Sequence, residues 1–207
     1  MSWFGSSKKN DSELHKLSNM IFEKSLLCAE DLKPDLEEKF GKDSKEFHAK
    51  YIPVLFEFMY FFLHLTNRSA LFQLGYEKQK KLYGVLAPLV IDNTARTLCA
   101  LYDWPINLKD GIKADFNNNM NSAELDYCSC VELLLDPKDD TPVDEKIDSG
   151  VKSKSMVGQL TDNLSRIIKG EININAFFAV LICGLVMKSL RKKDLQVLVL
   201  KASNEIN

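Results

Sequence analysis

The sequence has little of what most readily identifies a function. It contains only nine glycines and six prolines in 207 residues, which excludes collagen-like and low-complexity proteins. It has no Gly-x-Gly-x-x-Gly motif and no Gly-Lys-Ser/Thr loop, so a phosphate cradle of the usual kind is absent. Basic residues are not in excess either: 27 Lys and Arg against 29 Asp and Glu give a net charge of −2. This balance argues against a dedicated nucleic-acid-binding protein.

Histidine and cysteine are also sparse and poorly placed for chemistry. None of the three histidines lies in a His-Glu-x-x-His or paired Glu-x-x-His motif. The five cysteines are odd in number and scattered, which favours reduced thiols in a cytoplasmic protein over a disulfide framework. Cys128 and Cys130 would diverge by about 200° around a helix, and no second Cys or His pair completes a zinc site. We therefore predict no metal and no cofactor, and the missing catalytic motifs favour a non-catalytic protein.

Long apolar runs are absent too. No apolar stretch follows the positive residues near the first methionine, so we expect no secretory signal peptide. The longest apolar run, 176–187, would cover roughly 18 Å as a helix, whereas a bilayer core needs about 30 Å. We expect no stable membrane span and a helix in the centre of the protein. There are two alternatives for this helix. A second subunit could cover it, or it could insert into a membrane after a conformational change.

Apolar residues at helical spacing are abundant, and they predict the fold class. We expect an all-α protein, a single-domain irregular bundle of six to eight helices at 11–203. A flexible N-terminus at 1–10 precedes it. The segments 43–68, 76–102 and 174–190 are expected to form the centre of the bundle.

Capping residues predict where the helices begin and end. Asp11 or Ser12 is expected to begin a first helix, Pro34 a separate short helix that ends at Gly41, and Asp43 the long helix after it. Further boundaries follow from turn and cap residues. We expect a loop with up to one turn of helix at 107–121, a helix from Asn121 or Ser122 to Leu135, a mobile acidic loop at 136–150, a helix from Ser153 or Ser155 to Lys169, and a helix rather than a strand at 194–203.

The segment 51–68 is densely aromatic, and its few polar side chains form one row: Glu57, Tyr60, His64 and Arg68. Glu57 and His64 differ by only about 20° around a helix. In a pocket, Arg68 could hold a carboxylate or phosphate with two hydrogen bonds. His64 could exchange protons near neutral pH, while Glu57 could orient it or act as a base.

A second polar pair on the next helix could complete such a pocket. Asp92 and Arg96 are four residues apart in an otherwise apolar segment, and antiparallel packing would bring them to the row. The candidate ligand-binding residues are therefore Glu57, Tyr60, His64, Arg68, Asp92 and Arg96. Two structural interpretations compete. Towards the N-terminus the row continues through Lys50, Glu46 and Asp43, and a continuous polar row of this kind is typical of a solvent-exposed helix face. Asp92 and Arg96 can be a simple ion pair within one helix. A subunit interface is the third possibility.

Three functional hypotheses follow. The first is a non-catalytic helical interaction or regulatory protein whose partner is another protein or a second copy of the chain. The second is a small-molecule-binding protein or enzyme built on the six candidate residues. The third is a peripheral membrane or pore-related protein that uses the apolar run at 176–187.

Overall fold

A computed structural model describes residues 12–42, 44–130, 155–169, 176–189 and 192–206. Within them the chain forms seven α-helices, and a 3-10 turn at Ile106–Leu108 precedes the fourth. The helices are α1 (Glu13–Phe40), α2 (Lys45–Leu74), α3 (Tyr76–Leu101), α4 (Lys109–Cys128), α5 (Met156–Lys169), α6 (Ala176–Ser189) and α7 (Lys192–Ser203). The prediction of an all-α bundle is confirmed for these residues. The segments 1–10 and 136–150 lie outside them, and so does the predicted helix end at Leu135.

Serine side chains cap the first two helices. The Ser12 hydroxyl accepts a hydrogen bond from the backbone N–H of His15 at 3.2 Å, and the Ser44 hydroxyl accepts one from Phe47 at 2.9 Å. The cap of α2 is therefore Ser44, and the prediction of Asp43 is wrong by one residue. A serine hydroxyl satisfies a backbone donor that the helix start leaves unpaired.

The predicted break at Pro34 is wrong, because α1 runs through this proline to Phe40. Leu32 and Leu36 are both buried, so packing on either side of the proline outweighs the hydrogen bond that it removes. The helix ends at Gly41, as predicted, with φ of +83°. α2 and α3 likewise continue through Pro53 and Pro88 without being divided.

Helix α2 lies at the centre of the bundle. It contacts α1, α3, α4, α5 and α7, and buried side chains follow one another without a break from Val54 to His64. A helix that is apolar on nearly every side needs neighbours on nearly every side. α2 is therefore the element against which the others place their functional side chains.

The apolar helix α6 does not lie at the centre, contrary to prediction. It packs on α1 and α5, where Ile182, Leu185 and Val186 are buried. Gly184 and Lys188 are exposed. Among the described residues, two helices thus cover one side of α6, and the apolar sequence alone did not indicate which side. Among the described residues, no helix combines the length and the apolar character that crossing a membrane requires.

The predicted loop at 107–121 is wrong, since α4 covers most of it and continues to Cys128. Asn121 and Ser122 lie inside this helix instead of capping it. Only Phe116, Ala123 and Tyr127 are buried, so one narrow apolar stripe holds a helix that is otherwise polar. The other late helices agree with prediction. Ser155 caps α5 by accepting from the N–H of Gly158 at 3.0 Å, and residues 194–203 are helical.

Candidate functional site

A cleft of about 590 Å³ lies where α2, α4 and α5 meet. Its apolar wall includes Ile52, Pro53, Phe56 and Ile167. Its polar lining includes Glu57, Tyr60, Asp115, Asp126, Asn163 and Arg166. We call it the Glu57 cleft. A space of this size, with an apolar wall and several polar groups, is within the range of small-molecule sites in proteins.

Glu57 anchors a buried hydrogen-bond network at the inner end of the cleft. Its Oε1 atom accepts from the hydroxyl of Tyr127 at 2.5 Å and from Nδ2 of Asn163 at 2.8 Å. Asn163 in turn accepts from Nε2 of Gln159 at 3.0 Å. α4 supplies the tyrosine and α5 the two amides, so three helices converge on one carboxyl group. Both hydrogen bonds described for this carboxyl group are on Oε1, and no described residue donates a hydrogen bond to Oε2.

Burial controls the protonation of Glu57. Removal from water raises the pKa of this carboxyl group, and the hydrogen bonds from Tyr127 and Asn163 lower it by less. Both hydrogen-bonding partners among the described residues are neutral groups, and Arg166 lowers the pKa by less than either of these hydrogen bonds does. Glu57 is thus a carboxyl group that lacks a full counter-charge and lines an open space.

Tyr60 lines the same cleft, but its hydroxyl group is already paired. It donates to the backbone carbonyl of Phe116 at 2.8 Å, and the two rings lie 4.5 Å apart. Desolvation raises the pKa of Tyr60 above its ordinary value, so the phenol stays protonated and acts as a donor. Tyr60 therefore joins α2 to α4 and forms part of the cleft wall.

His64 lies about two turns beyond Glu57 on α2 and belongs to a second polar cluster. Its Nδ1 atom is 2.5 Å from Oε2 of Glu124, and its ring stacks on Tyr127 with 5.8 Å between centroids. The other ring nitrogen, Nε2, is buried and has no hydrogen-bond partner. Glu124 also accepts from Nδ2 of Asn67 at 3.3 Å. One potential metal-ligating atom from each of His64, Glu124 and Cys128 lies within 4.8 Å of the other two.

Arg68 ends the row away from the cleft. Its Nη1 atom donates to the backbone carbonyl of Cys130 at 2.8 Å, just beyond the end of α4. The predicted divergence of the two cysteines around a helix does not apply, because the helix ends at Cys128. Cys128 is exposed, and Cys130, two residues further on, is buried. This half-buried guanidinium group thus ties the end of α4 to α2.

Asp92 and Arg96 do not meet the row on α2. Arg96 contacts Asp92 at 2.6 Å, as the ion-pair interpretation predicted, and Lys109 of α4 contacts it at 2.7 Å. Lys113 is a third cation on the same carboxylate. These cations hold the pKa of Asp92 well below its ordinary value. The predicted meeting of the two clusters is wrong because α4 supplies the partners of both.

The solvent-face interpretation of the row is wrong from Glu57 onward. Glu57 is 6% exposed and His64 is 3% exposed, whereas Glu46 at the start of the row is exposed. Sequence reasoning missed the partners Tyr127, Asn163 and Glu124. One signal was present: Glu124 and Cys128 are four residues apart, which places both on one face of a helix. Whether the candidate residues bind a ligand stays a prediction.

No protein-family model, curated protein or solved structure matches the chain.

Proposed function

We propose that the protein binds a small organic amine with an apolar body in the Glu57 cleft. The observation that carries this proposal is Glu57 itself, a buried carboxyl group that lines the cleft and has only neutral hydrogen-bond donors on one oxygen. An ammonium group at Oε2 would supply the missing counter-charge. Buried charges in proteins are normally paired in this way.

The charge of the lining supports the same class of ligand. Glu57, Asp115 and Asp126 contribute three carboxyl groups, and Arg166 contributes one guanidinium group. The apolar wall of Ile52 and Phe56 would receive an aliphatic or aromatic body of the ligand. Arg166 is exposed at the cleft rim. Water screens its charge there, so its repulsion of an incoming ammonium group is weak.

Matched aromatic probes test the charge preference. Benzylamine, benzyl alcohol and phenylacetate share a ring and differ in charge, and calorimetric titration of the full chain measures each. We expect benzylamine to bind most tightly. Glu57→Gln keeps an acceptor for Tyr127 and Asn163 but removes the negative charge. A charged hydrogen bond contributes about 1.5–3 kcal/mol, so this variant is expected to weaken benzylamine binding roughly tenfold to a hundredfold.

Asp92→Asn is the matched control, because it removes a carboxylate that lies outside the cleft lining. It is expected to leave benzylamine affinity unchanged. Phenylacetate binding as tight as benzylamine, or equal affinity in wild type and Glu57→Gln, would rule out the amine proposal.

A specific surface favours the interaction hypothesis as a second candidate. Phe72 is 81% exposed at the end of α2, and Leu71 and Tyr76 beside it are also exposed. Groups of exposed apolar side chains are a feature of protein-binding surfaces. In this proposal the chain acts in the cytoplasm as a partner-binding or self-associating protein. Light scattering of wild type and Phe72→Ser tests self-association, and a monomer at all concentrations for both would remove that form of the hypothesis.

A further inference from the structure

A cluster of nitrogen, oxygen and sulfur ligands lies on the α2–α4 surface, separate from the Glu57 cleft. His64 supplies an imidazole, Glu124 a carboxylate and Cys128 a thiol, with one ligating atom of each within 4.8 Å of the others. None of the three lines the Glu57 cleft. The cluster differs from an ordinary group of acidic surface residues, because its three members offer nitrogen, oxygen and sulfur as ligand atoms.

The backbone arrangement brings these side chains together. Glu124 and Cys128 are four residues apart on α4 and so share one face. His64 approaches that face from α2 and contacts Glu124 directly. Three ligands from two packed helices form a site without any loop, and helices hold ligands more precisely than loops do.

Outer contacts orient two of the three ligands. The ring of Tyr127 stacks on His64 at 5.8 Å, and Asn67 donates to Oε1 of Glu124 at 3.3 Å. The Tyr83 hydroxyl also bonds this carboxylate. With Oε1 engaged, Oε2 is the oxygen turned to His64. Ligands in metal sites are commonly oriented by such contacts.

His64 is oriented to bind an ion through Nδ1, the ring nitrogen that faces Oε2 of Glu124 at 2.5 Å. An ion at Nδ1 replaces the hydrogen bond between these two atoms, and each of them then bonds the metal. Nε2 lies on the other side of the ring, is buried, and stays outside the set of ligand atoms.

We propose that His64, Glu124 and Cys128 form a binding site for a divalent transition-metal ion of the zinc type. Nitrogen, carboxylate oxygen and thiolate together suit Zn²⁺, whereas Ca²⁺ and Mg²⁺ are bound by oxygen ligands. Cys128 is exposed, and a water molecule would complete the four ligands of the ion. When the metal–sulfur bond forms, the thiol releases its proton to solvent, and no electron is transferred.

Metal entry requires only side-chain movement. Zinc–ligand bonds of about 2.0–2.3 Å place neighbouring tetrahedral ligands roughly 3.3–3.7 Å apart. The Nδ1–Oε2 separation of 2.5 Å must therefore lengthen, and any separation close to the limit of 4.8 Å must shorten. Glu124 is partly exposed and Cys128 is exposed, and both are therefore free to adjust without disturbing the core. The buried His64 is the fixed member of the set.

Metal titration of the full, reduced chain tests the site with Zn²⁺ and Co²⁺ as probes. We expect one tightly bound Zn²⁺ per chain in competition with a chromophoric chelator. Co²⁺ is expected to give a thiolate-to-metal charge-transfer band, which requires a sulfur ligand. Loss of outer contacts alone reduces metal affinity about 10- to 100-fold, so Cys128→Ser is expected to weaken Zn²⁺ binding by roughly 100-fold or more and to abolish the band.

Two neighbours on the same stretch of chain give matched controls. Cys130→Ser removes a buried thiol two residues away, and Asp126→Asn removes a carboxylate two residues from Glu124. Both are expected to retain Zn²⁺ binding and the cobalt band, whereas Glu124→Gln is expected to weaken binding. Absence of stoichiometric binding in the wild type, or equal loss in Cys130→Ser and Cys128→Ser, overturns the proposal. Since amine binding in the cleft needs none of these three residues, failure of one proposal leaves the other standing.

Discussion

Glu57 and Asp92 are carboxyl groups on adjacent helices of one bundle, and both meet side chains from α4. Glu57 is 6% exposed and receives two neutral donors. Asp92 is partly exposed and receives three cations. Burial raises the pKa of Glu57, whereas hydrogen bonds from lysines lower the pKa of Asp92. The pKa of the same functional group is thus shifted in opposite directions near the two ends of α4.

The two carboxyl groups differ in how far their neighbours compensate the free-energy cost of removing them from water. Asp92 is fully compensated in its surroundings, as a structural ion pair is. Glu57 retains a desolvation penalty that its neutral partners do not remove. Buried ionisable groups with such a desolvation cost are common at the walls of binding sites. Residues that serve binding often lower the stability of the folded protein.

Removal of the tyrosine donor tests the buried side of this comparison and has the largest expected effect. Tyr127→Phe keeps the ring that packs on His64 and Phe61 but takes a hydrogen bond from buried Glu57. We expect the free energy of unfolding to fall by about 1–3 kcal/mol, measured by urea denaturation. Tyr83→Phe is the control. Its hydroxyl serves the partly exposed Glu124, where water can replace it, so a loss as large as that of Tyr127→Phe would contradict the argument.

Removal of the charge at Glu57 is expected to have the opposite sign. In the folded protein this carboxyl group keeps its proton above the ordinary pKa of 4.5, where the unfolded chain has lost it. Stability therefore declines as pH rises through this interval. Glu57→Gln retains an oxygen for Tyr127 and Asn163 and places its amide on the cleft side. We expect it to raise the free energy of unfolding by about 1 kcal/mol at pH 8.

The pH dependence decides whether this gain is electrostatic. The difference between Glu57→Gln and wild type should disappear near pH 4, where the wild-type carboxyl group is protonated in both states. Urea denaturation across this pH range measures it. A gain that persists unchanged at low pH would show that packing, and not charge, is responsible.

The sequence predicted the helices better than their partners, for a physical reason. Periodicity identified α2 and α3 because their apolar residues recur around the helix. It missed most of α4, whose buried stripe is Phe116, Ala123 and Tyr127 among polar residues. Polar residues at helical spacing occur both on faces exposed to water and on faces that pack against a neighbouring helix, so the spacing alone does not distinguish the two. The partners of Glu57 lie 70 and 106 residues away in the chain, so only the packed structure reveals that the row is buried.

Neutralisation of Asp92 tests the exposed side of the comparison. Because its folded pKa is lowered, Asp92 stabilises the protein above its ordinary pKa of 3.8, and this contribution is lost as pH falls through the folded value. Asp92→Asn is therefore expected to reduce stability at pH 7, the reverse of Glu57→Gln. Solvent screening limits the loss to about 0.5–1 kcal/mol. It should shrink in 1 M salt, and a salt-independent loss would contradict an ionic origin.

The smallest expected effect concerns the one partner of Asp92 that its sequence spacing reveals. Arg96 is four residues from Asp92 but 65% exposed in its side chain, whereas Lys109 and Lys113 of α4 are 19% and 28% exposed. Better-shielded cations interact more strongly with a carboxylate, because less water screens them. Arg96→Ala leaves both lysines in place and is expected to cost less than about 0.5 kcal/mol. Lys109→Ala should cost more, since it also loosens α4 from α3, and denaturation at low salt measures both. If Arg96→Ala proves the more damaging, local helical spacing and not the packing of α4 holds Asp92, and the contrast with Glu57 loses half of its basis.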